Sequence, residues 1–160
     1  MKSRMSLLAI LIVFAINCHA GQLENIHLAK AMVEAINARN LAGLDALIAP
    51  NVKRHSAATA GVTVSNLDEF KAFLTNDFAA VPNSVMEIEI IFGNDDFVAL
   101  RAIYSGTQSG QMGPFPPTGK DFTLPFIGIL RFENGVISEI WVEWDNVYAL
   151  TQLGHLNPPE

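Results

Sequence analysis

The chain of 160 residues has one cysteine, few charges, no long apolar run and no cluster of metal-binding side chains. Each shortage excludes something. Cys18 has no second cysteine to pair with, so the fold must stand on its hydrophobic core rather than on a disulfide framework. The four histidines include no closely spaced pair, which leaves a transition-metal site without ligands. The apolar run from Leu7 to Ile16 is too short to cross a bilayer, so no stable membrane anchor is expected. Charged residues make up 16% of the chain and the formal net charge is −6, which argues against nucleic acid or an anionic membrane surface as partner. Gly106, Gly110 and Gly113 do not have dinucleotide-loop spacing, and Ser105 and Ser109 lack a nucleophile-elbow pattern.

What remains is a chain of single-domain length in which half the residues are hydrophobic. Its start has a different character. Lys2 and Arg4 precede the apolar run, and Cys18-His19-Ala20 supplies small residues at the −3 and −1 positions of a cleavage site. Residues 1–20 therefore read as a secretory signal peptide removed after Ala20, with residues 21–160 as one periplasmic or secreted domain. A lipoprotein attached through Cys18 is the alternative, set against the bulk of Asn17 ahead of it. Cleavage removes two positive charges and no negative one, so the exported domain would carry −6 − 2 = −8.

The strongest local pattern lies near the end of the chain. Asn134-Gly135 is a two-residue hairpin signal, because both residues accept positive φ, and it separates the apolar runs Phe126 to Phe132 and Val136 to Trp144. Strict alternation puts Ile137, Glu139, Trp141, Glu143 and Asp145 on one face of the second run. Earlier in the chain, Leu23 to Asn40 has helical apolar spacing, Leu41 to Ala49 reads as a short helix stopped by Pro50, and Val52 to Ala57 as a short strand. Ser65 with Asp68 reads as a capping box opening a helix that ends before Pro82. Strands follow over Val85 to Phe92, Phe97 to Thr107 and Asp121 to Phe132, the last bent or bulged by Pro125 and Gly128. A helix over Asn146 to Leu153 with Gly154 as its C-cap closes the chain. Helices first and strands last predict an α+β fold: helices on one face of a bent, largely antiparallel sheet, enclosing a conical cavity fit for an apolar ligand.

The segments NARNLAGLDALIAPNVKRH, SGTQSGQMGPFPPTGK (Ser105 to Lys120), RFENGVISEIW (Arg131 to Trp141) and the run from Asp145 to Gln152-Leu153-Gly154 resemble the SnoaL-like polyketide cyclases, or ester cyclases, of the NTF2-like cone fold. The resemblance runs from about Leu23 to Gly154. It implies cofactor-free ring closure by intramolecular aldol chemistry, with the aspartate at Asp145 taking a proton from a carbon between carbonyls and a histidine near His55 lining the pocket. Two departures stand out: Gly106-Thr107-Gln108 replaces a usual Gly-Thr-His, and Val81-Pro82-Asn83 replaces FPD. Gln108 can hydrogen-bond a carbonyl but cannot carry a proton.

Asp145 between Trp141 and Trp144 would be a desolvated general base, although an aspartate just ahead of a helix is also an ordinary N-cap. His55, Tyr104, Gln108, Phe126 and Trp141 are the expected substrate contacts, with Gln108 or His55 as the carbonyl partner. The reading is thus a cyclase or isomerase acting on a hydrophobic carbonyl compound. Its alternative is a non-catalytic exported binder of a small apolar ligand. The second apolar face of the sheet predicts a homodimer.

Overall fold

The computed structural model describes residues 5–59 and 61–157, with side chains from residue 21 onward. The expected leader, with its cleavage after Ala20, lies outside the described side chains. Among the described residues no helix is long and apolar enough to cross a membrane.

Helix α1 (Met5–Asn37) is followed by a 3-10 helix (Leu41–Ala46), strand β1 (Ile48–His55) and helix α2 (Leu67–Ala80). Strands β2 (Val85–Gly93), β3 (Phe97–Thr107), β4 (Asp121–Glu133) and β5 (Val136–Trp144) come next, then helix α3 (Asn146–Gln152). The sheet is bent and unclosed, in the order β1-β5-β4-β3-β2. Its last four strands are antiparallel neighbours, while β1 joins β5 in parallel, pairing Ile48 with Ile137 and His55 with Trp141. The architecture is α+β, as the order of helices and strands predicts, with a mixed sheet.

The local chemistry accounts for the elements. Asn134 and Gly135 take φ of 53° and 77°, the left-handed pair that a tight hairpin turn between β4 and β5 demands. Asn66, one residue later than expected, caps α2: its side chain accepts from Glu69 N, and the Glu69 carboxylate accepts from Ser65 N. Asn37, in the last turn of α1, exchanges two 2.8 Å bonds with the Met86 backbone and so ties the helix to the start of β2.

Four expectations are corrected. The segment after Leu41 is a 3-10 turn, and β1 begins at Ile48 and carries Pro50 within it; a proline is tolerated there because β1 is an edge strand. Neither Pro125 nor Gly128 breaks the β3–β4 ladder, which stays in register from Asp121 to Arg131. Pro125 stands one position beyond the last β4–β5 pair, Phe126 with Trp144, where β4 has lost its second neighbour. The bulge falls on β5 instead: Arg131 pairs with Glu139 but Phe132 with Ile137, leaving Ser138 as the extra residue. Ile137 is thereby turned to the same face as Ile140, and both are buried.

That buried face meets α1 and α2. Met32, Val33 and Ile36 of α1 and Leu67, Phe70 and Leu74 of α2 pack on Val98, Leu100, Ala102, Leu130, Ile137 and Ile140. These side chains pack beneath the helices, where a conical hollow is expected. A second, smaller core (Ala80, Val81, Phe122, Leu124, Ala149 and Leu153) seats α3 against the far end of the sheet. The outer face of the sheet carries Ile90, Phe92, Phe97, Ile127 and Ile129, all exposed.

Candidate functional site

The polar groups that face the interior gather between the end of α1, α2 and β3. On α2, Phe70, Phe73, Leu74, Asp77 and Phe78 recur at helical spacing, so Asp77 falls on the apolar stripe rather than on the wet side. The stripe faces the β3 residues Leu100, Ala102 and Tyr104, and the Tyr104 hydroxyl donates to Asp77 Oδ2 at 2.8 Å. Tyr104 is held in place by Phe122 on the neighbouring strand, 5.3 Å away between ring centroids.

Two guanidiniums flank this pair. Arg39, in a left-handed turn just past α1 (φ 59°), donates to the carbonyls of Pro82 and Ser84 and to Ser84 Oγ, each at 2.9 Å, and lies over the Phe78 ring. Arg54 comes from β1, where alternation buries Val52 and Arg54 and leaves Lys53 and His55 outside. Its guanidinium lies 4.4 Å over the Phe73 ring and donates to Thr59 Oγ1 at 2.9 Å.

The electrostatics follow from burial. Asp77 is raised above the usual carboxylate range, chiefly because its charged form is desolvated; the Tyr104 hydroxyl and the charges of Arg39 and Arg54 oppose the shift without cancelling it. Tyr104 is pushed well above its ordinary value by burial first and by the Asp77 charge second, so the phenol stays a hydrogen-bond donor at any physiological pH. Burial lowers Arg54, against the attraction of Asp77 and Glu143. A carboxylate of raised proton affinity, oriented by a phenol and set between two cations, can take a proton from a weak carbon acid and return it.

The residues singled out from the sequence fall in four places. Tyr104 and Phe126 lie on the inner face, Tyr104 in the cluster just described and Phe126 against the main core. His55 and Trp141 lie together on the outer face: their rings stack at 5.1 Å, and His55 Nε2 is 3.1 Å from Glu139 Oε1. The same contact holds the Glu139 carboxyl below its usual range, with Arg131 adding to it.

Gln108 is fully buried and its amide is committed to the loop it begins. Nε2 donates to the Pro116 carbonyl at 3.0 Å, and Oε1 accepts from Thr118 Oγ1 at 3.1 Å and from His155 Nε2 at 2.8 Å. It locks the Pro-rich loop to the C-terminal segment.

Asp145 is exposed rather than walled in by Trp141 and Trp144, and its carboxylate accepts from Tyr148 N at 2.9 Å as the N-cap of α3. Two surface hollows, of about 200 and 180 Å³, are lined in one case by Arg101, Phe126, Ile127 and Glu143 and in the other by Lys53, Arg131 and Glu139; Asp145 lines neither. Among the described residues no group of three metal-ligating side chains converges.

Asp77, Arg39 and Arg54 were missed in the sequence. A signal existed for two of them: Asp77 interrupts an apolar helical stripe, and Arg54 stands in phase with the buried Val52. Arg39 offered none, since its partners Pro82 and Ser84 lie more than forty residues away.

No curated protein matches the chain. Solved structures do. AclR of Streptomyces galilaeus, proposed to be a hydroxylase, is 27% identical with a TM-score of 0.73, over 87% of this chain and 86% of that one. IdmH of Streptomyces antibioticus, proposed to be a polyketide cyclase, is 30% identical with a TM-score of 0.72, over 81% and 98%. A SnoaL-like protein from Jannaschia sp. CCS1 reaches a TM-score of 0.76 at 17% identity, over 86% and 95%, a likeness of fold alone. The sequence model of the SnoaL-like polyketide cyclases matches residues 26–153, so that the end of α1, helix α2, the mixed sheet and the capped terminal helix all fall inside one match, and the chain belongs to that family.

Proposed function

We propose that this protein is a cofactor-free cyclase or isomerase that moves a proton beside a carbonyl group of a hydrophobic small molecule, with Asp77 as the base. The observation that carries this reading is the Asp77–Tyr104 hydrogen bond on the inner face of the sheet, where burial raises the proton affinity of the carboxylate. The carboxylate removes a proton from the carbon next to the carbonyl, and the C–H electron pair becomes the C=C bond of an enolate. Return of that proton from Asp77 to another carbon completes an isomerisation; attack of the enolate carbon on a second carbonyl, with the proton returned to the alkoxide so formed, completes a ring closure. The guest meets the cluster on its partly exposed side, among Phe73, Asp77 and Phe78.

The test is incorporation of deuterium from D2O into 2-tetralone, a bicyclic aryl ketone, followed by NMR. Asp77→Asn should lower the protein-dependent rate at least about 100-fold, the usual worth of a general base. An unchanged rate in a folded variant removes Asp77 from the reaction.

Asp145 is the competing base, favoured by its place in the family pattern. A second reading, a non-catalytic binder, is favoured by the helix-capping role of Asp145 and by the saturated amide of Gln108. It predicts saturable ketone binding with no exchange in any variant.

Export and self-association complete the proposal. Residues 1–20 act as a signal peptide, and N-terminal sequencing of the mature protein should begin at Gly21. A second copy of the chain covers the outer sheet face, where Ile90, Phe92 and Ile127 stand exposed. Light scattering should report a dimer, and Phe92→Glu should shift it to monomer.

A further inference from the structure

The interior holds a cation whose capacity is largely unspent. Arg54 is 9% exposed, yet among the described residues its side chain makes one hydrogen bond, to Thr59 Oγ1, out of five possible donors. Among the described residues no carboxylate comes within ion-pair distance of it; Asp77 and Glu143 act on it only through space. A buried guanidinium without a paired anion is costly, so such groups are ordinarily matched by an acceptor.

Two further observations point the same way. Only Ser56 Oγ and Thr151 Oγ1 are both sealed from water and unpartnered among the described residues, so the unbonded nitrogens of Arg54 keep an opening to solvent. The Phe73 ring lies under the guanidinium and holds its plane in one orientation.

We propose that Arg54 is the oxyanion-binding group of the interior site, and that it selects planar carbonyl compounds whose oxygen becomes an enolate. The proposal rests on the proton-abstraction reading given above and adds the group that receives the charge. When a carboxylate such as Asp77 takes the proton, the carbonyl π pair moves to oxygen, and that oxygen accepts from the free N–H groups of Arg54. A group that binds the anion more tightly than the ketone lowers the barrier rather than merely holding substrate.

The experiment uses 2-naphthol, a planar phenol whose ionised form mimics the enolate and whose neutral and ionised forms differ in fluorescence. On the intact protein, bound naphthol should ionise at lower pH than free naphthol. Arg54→Met should weaken naphtholate binding about 10- to 100-fold, the worth of a charge-assisted hydrogen bond, and leave neutral naphthol binding unchanged. Arg54→Lys, which keeps the charge and loses the planar fork, should retain part of the effect, and it decides the matter if the methionine variant does not fold. Unchanged naphtholate affinity in a folded Arg54 variant, or no preference for naphtholate in the wild type, overturns the assignment. Asp77→Asn separates the two ideas: it should abolish exchange of 2-tetralone while keeping or strengthening naphtholate binding, since a negative neighbour is removed. Exchange that survives in Asp77→Asn while Arg54→Met loses naphtholate leaves the anion site standing and refutes the base.

Discussion

Replacing Asp145 separates the two roles that its position allows. Its Oδ1 accepts from Tyr148 N at 2.9 Å, and its carbonyl accepts from Ala149 N at 3.1 Å. An N-cap side chain of this kind is worth about 1 kcal/mol. The negative charge at a helix N-terminus adds about 0.3–1 kcal/mol where solvent screens it. Asp145→Ala loses both and should cost about 1–2 kcal/mol, whereas Asp145→Asn keeps the acceptor and should cost less than about 1 kcal/mol. In a domain of this size each kcal/mol moves the melting temperature by about 4 °C, so alanine should lower Tm by about 4–8 °C and asparagine by less than about 4 °C. Differential scanning calorimetry reads the cap, and deuterium exchange into 2-tetralone reads the chemistry. If Asp145 is a cap only, both variants exchange at the wild-type rate. An Asp145→Asn protein that melts normally but exchanges about 100-fold more slowly refutes the reasoning and makes Asp145 the base.

Two more outcomes are expected. Because Asp77 is raised in the folded state, the native protein holds its proton more tightly than the unfolded chain, and stability falls as pH rises from the ordinary carboxylate range through the raised value. Asp77→Asn should therefore melt relatively higher as pH goes from about 4 to about 7, the amide still accepting from Tyr104; a difference in Tm independent of pH contradicts this. Gln108→Leu strands the Thr118 hydroxyl, the Pro116 carbonyl and His155, and should cost about 1–3 kcal/mol in urea unfolding, with faster amide exchange across the loop from residue 108 to 119. Wild-type stability in that variant would show that the amide locks nothing.

Legibility from the sequence followed the range of the interactions. Strands β3 and β5 and the Asn134-Gly135 turn were readable residue by residue, since alternation and turn chemistry are properties of neighbours. Strand β1 was not: its pairing partner is set by Ile137 to Trp141, and Leu41 to Ala49 carries apolar spacing that a helix would also satisfy. The bulge at Ser138 leaves no local mark, yet it turns Ile137 away from the face of Glu139 and Trp141, with which alternation groups it, and into the core. The site divided in the same way. The cap at Asp145 could be read three residues away, whereas the bond between Asp77 and Tyr104 spans 27 residues and joins a helix to a strand.

The parallel edge between β1 and β5 also orders events in time. Ile48 and Ile137 are 137 − 48 = 89 positions apart, so the first strand of the sheet to be made must wait for the last before it has a ladder neighbour. Closing so long a loop has to be achieved before any ladder bond rewards it, and that delays completion of the fold. A chain still emerging from the ribosome therefore keeps this edge of the sheet open until nearly its whole length is present.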